Sequence, residues 1–172
     1  MRMSRMLQIA AAVLLLSGTV YAQAEKETPT GFYRLEFVTK ELDDTKVINT
    51  RNYSMIVAEN KQDGNSIRSS TRMPIPSGSN PSQYIYSDLG VNIDVHNVRE
   101  QMGMLTLSVS ADISTATAGE SNPNSSMPPV IRQYKWNSAV LVPLRKGTQI
   151  YSSDDLGSKR KFQLELTATP VK

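Results

Sequence analysis

The chain has 172 residues, no cysteine and a formal net charge of +3, from 19 basic and 16 acidic side chains. The absence of cysteine excludes disulfides and thiolate metal sites, so packing and backbone pairing must supply the stability. Two of the basic residues, Arg2 and Arg5, lie in a segment that we expect to be removed, which leaves 17 basic against 16 acidic residues. This near-neutral balance gives no reason to expect a nucleic-acid partner.

The N-terminal segment, residues 1–22, has the pattern of a secretory signal peptide. Two arginines precede an apolar run from Leu7 to Leu16, and small residues follow at the spacing of a cleavage site. The run is about half of the roughly 20 apolar residues that cross a bilayer, so we expect cleavage and no permanent transmembrane helix. We predict cleavage after Ala22 or Ala24, and an extracytoplasmic location that is either periplasmic or secreted.

Residues 23–172 are long enough for one domain, and their apolar side chains recur at every second position rather than every 3.6. The alternation is clearest from Leu105 to Ile113, and it indicates half-buried strands with one wet face and no helix. In chain order, the predicted strands are residues 32–41, 47–58, 66–75, 89–95, 105–113, 129–142, 150–152 and 161–169. They predict an all-β fold, an antiparallel sandwich or barrel-like single domain of seven or eight strands.

The connections are short and rich in turn residues, which favours hairpins over crossovers. A turn built on Asp43-Asp44 predicts that the first two strands form a hairpin. The residues predicted to face each other across it are Tyr33, Leu35 and Phe37 on one strand and Tyr53, Met55 and Val57 on the other. The longest gap, residues 115–129, is rich in Ser, Asn and Pro and predicts a flexible loop, which is either functional or merely tolerated.

Residues that support catalysis or metal binding are sparse. His96 is the single histidine, and on its predicted strand it lies on the polar face with Asn92 and Asp94, where an exposed imidazole needs no catalytic role. The basic run Lys159-Arg160-Lys161 fits a solvated turn better than a nucleic-acid patch, because no aromatic residues are interleaved with it. We therefore predict no catalytic residues, no metal ligands and no cofactor.

Aromatic side chains offer the one candidate binding surface. Tyr84, Tyr86, Tyr134 and Trp136 are the candidate residues for an interaction surface. The alternative is that they pack in the core or across strands, which is the more frequent role of such residues.

Three segments in the middle of the chain follow one another in a recognisable order. Residues 66–75 end in the apolar-Pro-apolar step Met73-Pro74-Ile75, residues 83–95 carry the pattern Tyr-x-Asp-x-Gly-hydrophobic, and residues 105–113 form an alternating return strand. Pro129-Val130-Ile131 then begins another strand, which leads to a glycine turn before Ile150. This succession resembles the β-domain of the bacterial secretins of type II and type III secretion and of type IV pili.

The resemblance implies an envelope-associated module with the strand order of a secretin β-domain. Secretins also carry several periplasmic domains before that domain and a glycine-rich apolar segment after its strands, and neither has a counterpart here. A barrel made from a domain this small would need many copies. The resemblance therefore implies at most a detached module.

Three functions are compatible with the sequence. The first is a non-catalytic interaction or assembly module whose partners are envelope proteins or further copies of the same chain. The second is a soluble carrier, a sandwich or barrel that holds a small molecule between its sheets. The third is a hydrolase, although the sequence contains no identifiable catalytic set.

Overall fold

A computed structural model describes residues 31–61, 63–77, 83–117 and 130–171. The predicted signal peptide with both cleavage sites and residues 118–129 of the predicted loop lie outside these ranges. The described residues form eight strands and no helix, and thus contain no apolar helix that could cross a membrane. In chain order the strands are β1 (Phe32–Asp43), β2 (Lys46–Ala58), β3 (Asn65–Pro76), β4 (Tyr84–Gln101), β5 (Met104–Thr117), β6 (Val130–Pro143), β7 (Thr148–Asp154) and β8 (Arg160–Val171).

The strands form two antiparallel sheets of four strands each. Sheet 1 has the order β2-β1-β8-β7 and sheet 2 has the order β3-β4-β5-β6. Their inner faces share one apolar core, so the described residues form a sandwich. This confirms the predicted all-β antiparallel fold and favours the sandwich over the barrel-like alternative. Strands that follow one another within a sheet pair antiparallel, and β1–β2 and β4–β5 are hairpins with two-residue turns, as their short connections predicted.

The first hairpin has the predicted register. Tyr33 pairs with Val57, Leu35 with Met55 and Phe37 with Tyr53. Its turn lies one residue later than predicted: Asp43 pairs with Lys46, and Asp44 takes a positive φ of 57°. In the β4–β5 turn, Met102 and Gly103 have φ values of 53° and 76°, as in a two-residue type I′ hairpin.

The core is made of side chains from the alternating positions of both sheets. Leu107 and Phe162 are 1% exposed, and Leu35 and Ile93 have no exposed surface. Other fully buried side chains include Phe37, Leu105, Leu164, Leu166, Val57, Val91, Val95 and Val109. Every apolar residue of the alternation from Leu105 to Ile113 is buried, so the period-two pattern identified the inner face correctly.

Short corners join the two sheets at one end of the sandwich. The backbone N–H of Asn60, which follows β2, donates to the Val98 carbonyl of β4 at 3.0 Å. Between β6 and β7, the N–H of Arg145 donates to the Ala168 carbonyl of β8 at 2.7 Å. Tyr33 adds a side-chain link, because its hydroxyl donates to the carboxylate of Glu100. At the opposite end the strands of sheet 2 run on past the core.

Candidate interaction surfaces

The first candidate surface is a two-stranded arm formed by residues 70–76 of β3 and 84–90 of β4. The two segments pair with each other from Ser70 and Gly90 to Pro76 and Tyr84, whereas the pairing of β4 with β5 ends at Val91 and Ile113. Seven residues of strand extend about 20 Å. No described side chain of the arm is buried.

Apolar side chains of the arm are exposed on both of its faces. Tyr84 and Tyr86 are 52% and 60% exposed on one face, and Ile85, which points the other way, is 60% exposed. The guanidinium of Arg72 lies 6.0 Å from the centre of the Tyr86 ring and pairs with Asp88 at 3.3 Å. Two of the four aromatic residues predicted to form an interaction surface are therefore accessible on this arm.

Gly90 lies at the base of the arm, where the β4–β5 ladder ends. Its N–H donates to the hydroxyl of Ser114 at 2.9 Å, so a side chain replaces the next backbone pairing. A Cβ on Gly90 would lie 2.0 Å from the carbonyl oxygen of Ser69, an impossible contact with backbone. The close approach of β3 and β4 at this point therefore requires glycine.

We expect Gly90→Ala to destabilise the protein by about 1–3 kcal/mol, because β3 and β4 must separate to admit the methyl group. Gly157→Ala is the matched control, since a Cβ there meets nothing within 4 Å and its effect should stay below about 0.5 kcal/mol. Urea unfolding followed by the fluorescence of Trp136, the single tryptophan, measures both variants. Equal stability of the two variants would contradict this geometry.

The second candidate surface is a cleft at the opposite edge of sheet 2, where the start of β6 faces the end of β7. Its volume is about 660 Å³. The lining residues are Val130, Ile131, Arg132, Gln133, Tyr134, Lys135, Tyr151, Ser153, Asp154, Asp155, Leu156 and Gly157. At its rim Val130 is 52% exposed, Ile131 39% and Leu156 fully so, which gives the cleft an apolar rim.

Aromatic rings pack at the side of the cleft nearer the core. Tyr134 stacks on Phe162 with ring centres 4.3 Å apart, and Trp136 contacts Tyr151 at 5.6 Å. Burial raises the pKa of the Tyr134 hydroxyl, and the nearby carboxylates of Glu41 and Asp155 raise it further. Tyr134 and Trp136 are thus packing residues between the sheets, and the structure does not bring them together with Tyr84 and Tyr86.

An ion pair in the wall of the cleft joins the two sheets. Arg132 Nε of β6 lies 3.0 Å from Asp155 Oδ2 in the β7–β8 turn, and both side chains are about one-fifth exposed. The pKa of Asp155 lies below its ordinary value, because its carboxylate accepts hydrogen bonds from the Ser158 hydroxyl and from Arg132. The sequence did not predict this ion pair, since it joins positions 23 residues apart across two sheets.

The lowered pKa of Asp155 predicts a specific pH dependence. Its native pKa lies below the unfolded value, so above about pH 4 the hydrogen bonds to the carboxylate stabilise the folded state. This stabilisation is lost as the pH falls through the native pKa. Ser158→Ala should raise the pKa of Asp155, because the Ser158 hydrogen bond is the largest cause of the shift. NMR titration of the carboxylate measures this. Ser153→Ala, whose hydroxyl donates to the Asp154 carbonyl, is the control and should leave the titration unchanged.

His96 lies on the outer, polar face of sheet 2, as its strand parity predicted. Its side chain is exposed, and its ring packs against Gly64. Asn92 and Asp94 share this face, and Asp94 pairs with Arg68 at 2.6 Å. Among the described residues, no cluster of three or more His, Asp or Glu side chains is placed to hold a metal ion.

The basic run at Lys159-Arg160-Lys161 lies where β8 begins, next to the acidic turn before it. Lys161 Nζ pairs with Asp154 Oδ1 at 3.3 Å, so part of the run's charge is balanced at the rim of the cleft. This placement fits the predicted turn between strands.

Comparison with known proteins finds similarity in fold rather than in sequence. No protein-family model matches the chain, and no curated protein matches it. Solved secretin structures do match: the InvG secretin-domain β-barrel of the Salmonella SPI-1 injectisome (TM-score 0.51, 10% identity), PulD in a Klebsiella pneumoniae type II secretion outer membrane complex (0.55, 9%) and GspD from enteropathogenic Escherichia coli (0.52, 8%).

The matches cover nearly all of this chain but only parts of the longer secretins. They include 98%, 98% and 99% of this chain, and 68%, 43% and 75% of InvG, PulD and GspD. At such low identity the similarity concerns the fold alone. The resemblance to the secretin β-domain that the sequence predicted over residues 66–150 is thus confirmed at the level of the fold, and it extends to both sheets of the sandwich.

Proposed function

We propose that this protein is a non-catalytic interaction or assembly module of the bacterial cell envelope, related to secretin β-domains. The observation that carries the proposal is the fold, which matches secretin structures along almost the whole chain. The signal-peptide pattern of residues 1–22 supports an extracytoplasmic location, because it would export the domain across the inner membrane.

The sheet edges support a role in assembly. In the described parts of the chain, β2, β7, β3 and β6 each pair with a neighbouring strand on one side only. Unpaired edges are templates for strands of other chains. The PulD structure is of an outer membrane complex that also contains PulS and the PulC HR domain, so a protein of similar fold occurs together with other envelope components. For the present chain we propose envelope proteins or further copies of itself as partners.

The carrier alternative receives less support from the packing between the sheets. Among the described residues, a cavity between the sheets at Thr39, Glu41 and Phe162 has a volume of about 10 Å³, close to that of a single water molecule. A carrier of this architecture needs several hundred Å³ at such a position. The cleft beside β6 is larger, but it is open to solvent on the outside of the sandwich.

Native mass spectrometry of the exported protein, purified without denaturant, tests the proposal against this alternative. We expect a defined oligomer, or a complex with another envelope protein, without additional small-molecule mass. A monomer that retains a co-purified small molecule would contradict the proposal. A hydrolase screen that finds activity in the wild type but none in His96→Ala would contradict its non-catalytic part.

A further inference from the structure

The arm and the cleft lie on opposite edges of the same sheet. In the order β3-β4-β5-β6, the arm extends from the β3–β4 edge and the cleft lies beside β6. Two copies that face the same way side by side would therefore bring the arm of one next to the cleft of the other. The described residues of each copy leave apolar side chains exposed on both surfaces.

The arm needs a covering partner. A two-stranded hairpin in water is marginally stable by itself, and beyond Val91 no third strand among the described residues pairs with the arm. It nevertheless exposes Tyr84, Ile85 and Tyr86 by more than half of their surface. Adjacent apolar side chains on both faces of a projecting hairpin are typical of a surface that another molecule covers.

The cleft offers matching chemistry. Its rim exposes Val130, Ile131 and Leu156, which can cover the apolar side chains of a hairpin. It also carries two exposed charged side chains, Asp154 at 79% and Lys135 at 67%. Each forms a surface ion pair within its own copy, Asp154 with Lys161 at 3.3 Å and Lys135 with Asp112 at 3.2 Å.

The arm carries the complementary pair of charges. Arg72 and Asp88 have side chains 70% and 64% exposed, and they form only a weak surface pair with each other. Because the exposed pairs at the cleft are equally weak, an exchange of partners costs little: Arg72 can turn to the Asp154 carboxylate of a neighbouring copy, and Asp88 to its Lys135.

From this complementarity we infer that the arm of one copy docks in the cleft of the next copy of the same chain. The inference rests on the proposed function and specifies the contact by which the module assembles. It is a heterologous contact, because two different surfaces meet, so repetition produces a ring or a filament rather than a closed two-fold dimer. With 14 residues in the arm, the contact is smaller than a standard interface, so a single contact is weak and a closed assembly gains from repeating it.

A mixing experiment tests this contact. The arm variant Tyr84→Asp/Tyr86→Asp keeps an intact cleft, and the cleft variant Ile131→Asp/Leu156→Asp keeps an intact arm. Because all four side chains are at least 39% exposed, both variants should fold, which circular dichroism and thermal unfolding check. Ile56→Asp is the control, since Ile56 is 54% exposed on β2, away from both surfaces.

Sedimentation velocity of each protein alone and of the mixture gives the result. We expect wild type and Ile56→Asp to form the same oligomer, and each double variant to self-associate at least about tenfold more weakly. The mixture of the two variants should form a dimer with one copy of each, and no larger species, because only one intact arm and one intact cleft can meet.

Four outcomes would overturn the inference. Variants that assemble like wild type, or a mixture that stays monomeric, would show that arm and cleft do not meet. Self-association lost in the arm variant alone would indicate an arm-to-arm contact instead. A monomeric wild type would overturn the proposed self-assembly itself. A wild-type oligomer that the arm and cleft variants leave intact would overturn only the contact between arm and cleft.

Discussion

Leu107→Asp is expected to destabilise the protein by about 4 kcal/mol or more. Leu107 lies on β5, is 1% exposed and faces the core between the two sheets. A carboxylate there has no partner, and an uncompensated buried charge is among the largest single-residue penalties known. A domain of this size is stable by only about 5–15 kcal/mol, so this loss is a large part of its total free energy of unfolding.

The neighbouring residue supplies the control for this prediction. Ser108 lies on the outer face of the same strand, pairs with His96 of β4 and is partly exposed, so Ser108→Asp should change stability by less than about 1 kcal/mol. Urea unfolding followed by Trp136 fluorescence measures both variants. Similar unfolding midpoints would mean that the inner and outer faces of β5 have been assigned wrongly.

Phe162→Ala is the second substitution with a large expected effect, about 3–5 kcal/mol. Phe162 is 1% exposed, stacks on Tyr134 and contacts Tyr151, so its removal leaves a void where β8 supports the cleft. Phe32→Ala is the matched control, because this ring on the same sheet is 53% exposed. Its loss should cost below about 1 kcal/mol.

The same variant has a second expected result. Since burial is the main cause of the raised pKa of Tyr134, removing the stacked Phe162 ring should lower that pKa toward its ordinary value. An NMR or ultraviolet titration of the tyrosines detects the change, with Phe32→Ala again as control. Loss of stability equal to that of Phe32→Ala, or an unchanged titration, would contradict the packing described between β6 and β8.

Alternation predicted the strands well where one face is buried and poorly where it is not. β5 and β8 follow the period-two pattern through the core, and they were placed within a few residues. The β3 half of the arm lies within the predicted strand 66–75, but alternation did not predict its β4 half, because Tyr84, Ile85 and Tyr86 are consecutive apolar residues exposed on both faces. The end of β4 was missed for another reason: an irregularity between His96 and Arg99 shifts the register and breaks the period.

The candidate surfaces depend on contacts between distant segments, which local patterns do not contain. The inward direction of Tyr134 and Trp136 follows from their shared parity with Val140 and Val142 on β6, so their packing role was accessible to the sequence. The Arg132–Asp155 pair joins two different sheets, and only the three-dimensional structure brings it to the cleft. The segment 115–129 was predicted as a loop, whereas β5 continues to Thr117.

Cysteine cross-linking in intact cells tests most directly whether the protein is exported and self-assembles. The chain has no cysteine, so a double variant with Tyr86→Cys on the arm and Ile131→Cys on the cleft rim has no background reactivity. A membrane-impermeant bismaleimide, small enough to enter the periplasm, is applied to the cells. The double variant should give a ladder extending beyond dimers, whereas either single variant should remain monomeric. A double variant that a monofunctional maleimide labels but the cross-linker leaves entirely monomeric would contradict assembly, and the absence of any labelling would contradict export.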